Sequence, residues 1–186
     1  TENMLALARA GVCSFKIEGR LKDLSYVKNI TAHYRSLLDE IIAEHPEFRR
    51  ASSGYSTFTF TPQPDKTYNR GYTDYFAGGR QDDIGAFDSP SFVGEAIGEV
   101  AEIGPNYFTV NAESEFNNGD GVCFYDAHGE VVGVRINRVE GKKLFPVEIP
   151  EELTEGATLF RNRDQEFERA LEKESAERRI SVTPVF

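Results

Sequence analysis

The spacing of hydrophobic positions changes along the chain and separates a helical part from a β-rich part. Between residues 23 and 46, apolar side chains recur every three or four positions, which is typical of one buried stripe on an amphipathic helix. Asp23 or Ser25 can cap the start of this helix, and Pro46 ends it. From Phe92 to Asn162 the spacing is two throughout, which predicts short strands.

These strands are expected to form a small closed or nearly closed β-barrel, because short, evenly spaced strands with glycine turns are typical of that architecture. The predicted strands are Gly94–Ile103, Tyr107–Asn111, Gly121–Tyr125, Val131–Val139, Lys142–Pro146 and Thr158–Arg161. One pattern of an apolar anchor, a glycine turn and a returning strand occurs twice, at Phe116–Phe124 and Leu153–Phe160. It predicts a packing repeat like that in the barrels of translation factors. The predicted fold class is therefore α+β, mainly β.

The stretch Cys13–Arg20, just before the long helix, predicts a further strand. Its alternation places Phe15 and Ile17 on one face and Lys16, Glu18 and Arg20 on the other. A solvated surface strand has this pattern, and so does a strand that lines the polar mouth of a larger barrel. Lys16, Glu18 and Arg20 are the candidate catalytic residues under the second interpretation.

Both ends of the chain indicate a piece of a longer protein. The sequence starts without Met inside a predicted helix, Glu2–Ala10, and Ile180–Phe186 predicts a strand with no partner of its own. Asp164–Lys173 predicts a helix before that strand. The expected division is a barrel remnant at 1–47, a connecting segment at 48–91, the small barrel at 92–163, and a helix with the start of a further domain at 164–186.

Charge is distributed unevenly along this acidic chain. It carries 21 Lys and Arg against 31 Asp and Glu, a formal net charge of −10, which is unlike a free-standing nucleic-acid-binding domain. Residues 81–130 contain eleven carboxylates and no Lys or Arg, so a phosphate-binding surface should avoid them. No apolar run approaches membrane-spanning length. The two isolated cysteines, Cys13 and Cys123, fit a reducing, cytoplasmic setting and offer no metal motif.

An aromatic loop lies in the connecting segment. Tyr68, Asn69, Arg70 and Tyr72 surround Gly71, and two Tyr rings beside an Arg can stack on bases or sugars. Such a loop can equally pin itself to a neighbouring domain, and the spacing does not separate the two hypotheses. Arg135 and Arg138 on a predicted strand complete the candidate substrate-binding residues. Lys142 and Lys143 are expected to join them in contacting RNA, and the alternative for all four is ordinary strand-edge charge.

Three motifs in order resemble the collagenase-like peptidase family U32. Residues 15–22, with Tyr34-Arg35 and Leu38-Asp39 beyond them, resemble the last strand and helix of that family's TIM-like barrel. Residues 68–73 resemble its aromatic-Asn-Arg-Gly-aromatic-Thr stretch. Gly94–Val100, Asn118–Gly121 and Arg135–Arg138 resemble its C-terminal β-barrel, and 167–185 the next domain of its longer members.

The resemblance implies a parent enzyme with an upstream TIM-like barrel in the same chain. It implies hydroxylation of ribosomal RNA as the main function, with an iron–sulfur cluster and prephenate as cofactors of the parent. The cysteine-bearing segment of the family lies upstream, so neither Cys13 nor Cys123 is expected to be a ligand, and no cofactor is expected in this part. The alternative is a peptidase whose catalytic part lies upstream, since no Ser/His/Asp set, Cys/His pair or zinc motif has persuasive spacing here.

Under the main hypothesis, Lys16 and Arg20 would hold an anion such as a substrate phosphate or a dicarboxylate, since Arg binds both with paired hydrogen bonds. Glu18 would orient these cations or act as a general base. RNA is the expected partner of the intact parent, and this part alone is expected to be an inactive accessory or binding module. An internal salt-bridge network is the alternative role for the three residues.

Overall fold

The computed structural model describes residues 2–73, 76–80 and 92–185, which form two compact units. Of these described residues, the first unit contains 2–64, 73, 76–80 and 170–185, and the second contains 65–72 and 92–169. The elements in chain order are α1 (Met4–Arg9), α2 (Leu24–Glu44), β1 (Tyr55–Phe58), a 3-10 turn (Pro64–Lys66), β2 (Glu95–Ile103), β3 (Phe108–Asn111), β4 (Gly121–Tyr125), β5 (Val131–Glu140), β6 (Lys143–Pro146), β7 (Thr158–Arg163), α3 (Gln165–Glu172) and β8 (Ala176–Arg179).

The long helix α2 begins where the sequence predicts it. The Asp23 side chain accepts a hydrogen bond from the Tyr26 backbone N–H at 2.7 Å and so satisfies one of the amides that a helix start leaves free. On the buried stripe, the Asn29 side chain donates to the Gln63 carbonyl at 2.6 Å and accepts from its N–H at 2.8 Å. These two bonds satisfy a buried amide and fix the chain beyond β1 against α2.

Two predicted strands are wrong. Residues 12–19 contain no strand, because a strand needs a hydrogen-bonded neighbour and none of the described residues pairs with them. The last strand is β8 at Ala176–Arg179, paired antiparallel with β1, rather than Ile180–Phe186. The described residues after β8 are exposed, with Val182 and Val185 at 82% and 94%, and the final residue lies outside the described part. These residues alternate between apolar and polar side chains, but no other strand among the described residues pairs with them.

The six strands β2 to β7 close into an antiparallel barrel in the order β2-β3-β6-β5-β4-β7, which confirms the predicted fold class. Their inward side chains, together with Leu153 from the connection between β6 and β7, build one apolar core. Its buried members are Ile97, Val100, Phe108, Val110, Val122, Phe124, Val134, Ile136, Leu144, Leu153 and Leu159. Within the described residues, closure leaves none of these six strands with an unpaired edge. The four-segment division of the chain, part of which lies outside the described residues, stays a prediction.

The repeated sequence pattern falls on neighbouring strands. Cys123 on β4 lies opposite Phe160 on β7, so the two returning strands of the repeat pair with each other. In the second copy, the Gly156 N–H donates to the Val100 carbonyl at 2.8 Å, and Leu153 enters the core. The repeat therefore packs the barrel, as the sequence predicts.

Barrel closure depends on glycine at a bulge in β2. Gly98 has a φ of +147°, and a Cβ built there would lie 2.2 Å from the Asn111 carbonyl oxygen on β3. Backbone atoms of a paired strand have no rotamer to change, so the contact can be relieved only by moving the strand. Gly133 on β5 is a matched position, where a Cβ meets nothing within 4 Å.

We predict that Gly98→Ala destabilises the barrel by at least about 3 kcal/mol, because strain at positive φ adds to the steric clash. Gly133→Ala should change the free energy of unfolding by less than about 1 kcal/mol. Urea titrations followed by circular dichroism compare the two variants. Equal stability of both alanine variants would contradict the role assigned to Gly98.

Candidate functional site

Lys16, Glu18 and Arg20 share one exposed face of the segment before α2. Burial alternates along 14–20 as the sequence predicts, although the segment is not a strand. Lys16 Nζ lies 3.8 Å from Glu18 Oε2, with the side chains 87% and 70% exposed, and Glu18 Oε1 accepts the Arg20 backbone N–H at 2.9 Å. The Glu18 carboxylate therefore lies near the Lys16 ammonium and binds the Arg20 backbone, and all three side chains are exposed.

Gly19 lets this segment approach α2 closely. A Cβ at Gly19 would lie 3.1 Å from a Val27 methyl carbon, and the Gly19 carbonyl accepts the Lys22 N–H at 3.1 Å. Burial raises the pKa of the Tyr26 hydroxyl, and the charges of Tyr34 and Glu18 raise it further. Tyr26 is thus a neutral hydrogen-bonding group at physiological pH, within the electrostatic reach of Glu18.

The aromatic loop at 68–72 is anchored at its start. Before it, Lys66 Nζ bonds Asp164 Oδ2 at 2.6 Å and lies 5.5 Å from the centroid of the Phe167 ring. The Tyr68 ring packs against Phe92, with ring centroids 6.2 Å apart. Tyr68 therefore contributes to holding the loop in place.

Asn69 shapes the tip of the loop. Its side-chain oxygen accepts the Gly71 N–H at 3.2 Å, and its amide donates to the Thr67 carbonyl at 3.3 Å. This Asx turn supports the positive φ of +92° at Gly71, which favours glycine. Arg70 is exposed and Tyr72 is 68% exposed, so these two side chains present the most surface to a partner.

A buried ion network that the sequence does not predict adjoins the loop anchor, since Lys66 and Arg161 share Asp164. Arg161 on β7 is 6% exposed, and its guanidinium lies 3.6 Å from Asp164 Oδ2 and 4.0 Å from Asp120 Oδ2. It also donates to the Glu115 carbonyl at 2.8 Å and covers the Phe116 ring at 4.9 Å. The sequence contains one indication of this network: Arg161 lies two residues after Leu159, so both side chains face the core side of the same strand.

The two carboxylates of this network also organise the backbone. Asp120 accepts from the N–H groups of Asn117 and Gln165, both at 2.9 Å, and is fully buried. Asp164 caps α3 by accepting the Phe167 N–H at 3.0 Å. Burial of Asp164 acts to raise its pKa, but hydrogen bonds from Lys66 and Phe167 and the charges of Lys66 and Arg161 outweigh it, so the pKa is lowered.

Arg135 and Arg138 are both exposed on β5. Arg138 lies over the Phe145 ring, with its central carbon 4.1 Å from the centroid, and its NH1 bonds Glu140 at 2.5 Å. Lys143, on the neighbouring strand β6, lies 4.1 Å from the centroid of the Tyr107 ring. The sequence predicts a binding role for the two arginines and Lys143, whereas the contribution of the two rings is seen only in the structure.

Nothing in the described residues fits an iron–sulfur cluster. No three His, Cys, Asp or Glu side chains there are grouped to hold a metal ion. Cys13 is exposed, whereas Cys123 is buried with its Sγ 3.3 Å from the Val93 carbonyl oxygen, and burial raises the pKa of its thiol to about 11. Cys123 is therefore a protonated core residue. We derive no reaction step through a cluster.

Residues 1–86, just under half of the chain, match the family model of peptidase family U32. The resemblance inferred from the motifs is confirmed. No solved structure gives a significant match, so the likeness of the barrel to translation factors stays a prediction. Among the helices in the described ranges, none has the length and apolar character needed to cross a bilayer.

A curated relative covers both units. The chain is 47% identical over 190 residues, or 98% of its length, to the 23S rRNA 5-hydroxycytidine C2501 synthase of Escherichia coli (strain K12). The chain spans 29% of the length of that protein. The match therefore includes the barrel, which lies beyond the segment that matches the U32 family model.

We predict that Asp164→Asn lowers the free energy of unfolding by about 2 kcal/mol at pH 7, because a charge-assisted bond to Lys66 is lost while the cap is kept. The folded-state pKa of Asp164 is below its unfolded value of about 3.9, so the stabilisation is complete above that value. It is lost as the pH falls through the folded-state pKa. The deficit of the variant should therefore shrink below about pH 4.

Urea titrations between pH 7 and 3.5 measure this difference, with Asp65→Asn, at an exposed carboxylate, as the control. The free energy of unfolding of Asp65→Asn should equal that of the wild type throughout this pH range. A deficit of Asp164→Asn that is constant with pH would show that the carboxylate charge is not its source.

Proposed function

We propose that this chain is the C-terminal part of an RNA-modifying enzyme that hydroxylates a cytidine of ribosomal RNA. The observation that carries the proposal is 47% identity across 98% of the chain to a 23S rRNA 5-hydroxycytidine synthase. In this proposal the barrel is an accessory RNA-binding module, and an upstream TIM-like barrel of the same chain supplies the centre of the active site. The site of action is the cytoplasm.

The alternative, a U32 peptidase whose catalytic part lies upstream, is supported by the family match over residues 1–86. The match to the ribosomal RNA enzyme extends over the barrel as well, including the anchored loop and the basic strand β5. RNA modification accounts for more of the chain and is therefore the preferred function.

Lys16 and Arg20 are proposed to hold an anion at the edge of that active site. A guanidinium binds a phosphate or a carboxylate with two parallel hydrogen bonds, and a dicarboxylate such as prephenate would use both cations. Glu18 lies between them in sequence, with its carboxylate 3.8 Å from Lys16, and is proposed to orient the cations or act as a general base. The exposure of all three side chains supports a role toward a ligand.

The exposed side chains of the anchored loop are proposed to contact RNA. Arg70 would bind a phosphate, and Tyr72 would stack on an unpaired base or sugar. Tyr68 and Asn69 would act by fixing the loop, since their side chains contact neighbouring parts of the unit. Arg135 and Arg138 on β5 would extend the phosphate contacts over the barrel.

We predict that Arg20→Ala in the longer protein containing this chain lowers the hydroxylated fraction of the target cytidine by about tenfold or more. The reason is the loss of a charge-assisted contact to the bound anion. The measurement is mass spectrometry of ribosomal RNA from cells in which this protein replaces the endogenous enzyme. Arg9→Ala, which removes an exposed arginine paired with Glu47, is the matched control and should leave the fraction unchanged.

Unchanged hydroxylation in Arg20→Ala at a normal protein level would remove Arg20 from the site. Absence of hydroxylation with the wild-type protein, together with peptide cleavage by it, would overturn the proposed function in favour of a peptidase.

A further inference from the structure

Two cations and two aromatic rings form a cluster on the outside of the barrel, which we term the paired-ring cluster. It consists of Arg138, Phe145, Tyr107 and Lys143. Arg138 and Phe145 are cross-strand partners on β5 and β6, and Lys143 follows the turn between these strands. Tyr107 immediately precedes β3, whose Thr109 lies opposite Lys143. The pairing of β5, β6 and β3 thus sets the positions of all four residues.

The rings lie side by side and each is covered by one cation. The centroids of Tyr107 and Phe145 are 5.8 Å apart at an interplanar angle of 51°. The Arg138 guanidinium and the Lys143 ammonium each lie 4.1 Å from a ring centroid. Cation–π attraction of about 0.5–1 kcal/mol at exposed sites favours this arrangement and restricts two long side chains that are otherwise mobile.

The same hairpin is basic within an acidic chain. Residues 131–146 carry four cations, Arg135, Arg138, Lys142 and Lys143, against one carboxylate, Glu140. The preceding residues 81–130 carry eleven carboxylates and no Lys or Arg, and residues 147–157 carry Glu148, Glu151, Glu152 and Glu155. Like charge disfavours a phosphate backbone at these carboxylates and favours its approach to the hairpin cations, although one of the carboxylates, Glu102, accepts the Tyr107 hydroxyl at 3.1 Å at the edge of the cluster.

Both cations keep binding capacity while they contact the rings. A guanidinium has five N–H donors, and the bond from Arg138 to Glu140 uses one of them. Lys143 is exposed and carries three ammonium donors. The guanidinium plane and the neighbouring rings are also surfaces on which unpaired bases stack.

We propose that the paired-ring cluster is a binding site for single-stranded RNA, in which Arg138 and Lys143 hold successive phosphates and unpaired bases stack against the guanidinium and the rings. This rests on the proposed function and adds to it which protein surface binds the RNA and that the bound RNA is single-stranded. Single strands fit because the bases of a duplex are paired and stacked, and only their edges face the grooves. An acidic protein surface is a different partner for the same cations, and the experiment separates the two.

The experiment uses the full-length protein containing this chain and a fluorescein-labelled 12-nucleotide single-stranded RNA of mixed sequence, read by fluorescence anisotropy. We expect Arg138→Gln/Lys143→Gln to raise the Kd at least about tenfold. It should also reduce the slope of log K against log salt by about 1.4, since each phosphate contact to a single strand contributes about 0.7. The matched control Arg169→Gln/Arg179→Gln removes two exposed cations elsewhere and should change the Kd less than about twofold.

A ring variant separates stacking from charge. Tyr107→Leu/Phe145→Leu keeps both cations, so it should weaken binding about tenfold with an unchanged salt slope. Tyr107→Phe/Phe145→Tyr keeps both rings and should bind like the wild type. Circular dichroism melting identifies any variant that does not fold. If the leucine variant unfolds, the test of stacking falls to Tyr107→Phe/Phe145→Tyr. Loss of RNA binding by this variant in a folded state would contradict ring stacking.

Three results would overturn the proposal. The first is that the cluster and control glutamine variants weaken binding of the single strand equally. The second is that the cluster variant weakens binding of a 12-base-pair duplex of the same sequence as much as that of the single strand, and the third is that polyglutamate competes more strongly than unlabelled RNA. Hydroxylation of ribosomal RNA, measured by mass spectrometry in the same strains, reports on the function separately. If wild-type hydroxylation is present and the cluster variants bind normally, the cluster proposal fails and the function stands. If hydroxylation is absent while the cluster variants lose RNA binding, the function fails and the cluster stands.

Discussion

The buried ion network around Arg161 is the interaction on which the second unit of this protein depends. A guanidinium taken out of water is strongly destabilising unless carboxylates surround it, and Asp120 and Asp164 supply them here. Each carboxylate also accepts backbone N–H groups, so the charges of the network fix the turn at 117–120 and the start of α3. Removing Arg161 would leave the fully buried Asp120 without the counter-charge that lies beside it.

The network connects the rigid barrel to the loop that carries the candidate contacts. Lys66 reaches Asp164, and the aromatic loop follows Lys66 directly. Asn69 then shapes the tip, which leaves Arg70 and Tyr72 exposed. A ligand that binds a fixed loop loses less conformational entropy than one that must first order it, so the buried charges contribute to binding without contacting the ligand.

Sequence periodicity predicted most of the barrel because inward and outward positions of a half-buried strand must alternate. Gly121–Tyr125 has the predicted bounds, and α2 begins at the predicted cap, Asp23. Periodicity failed at 13–20 and 180–186, where alternation is present but no strand among the described residues pairs with it. Pairing is a property of the assembled chain, which a local pattern does not contain.

The candidate site was predictable only where side chains sit close together in sequence. Lys16, Glu18 and Arg20 are neighbours, so their shared face followed from alternation. Lys66 and Asp164 are far apart in sequence, and so are Tyr107 and Phe145, and each pair meets only because of the fold. The sequence indicates the ion network only through Arg161, an arginine at a core-facing position of a strand.

Hydrogen–deuterium exchange of residues 66–72 in Lys66→Met tests most directly whether the ion network holds the loop. Met keeps the apolar stem against Phe167 and removes the charge. We expect faster exchange in this segment, with a smaller change in the barrel strands and a loss of global stability no larger than that of Asp164→Asn. Unchanged exchange of residues 66–72 would contradict the claim that the buried network positions the loop.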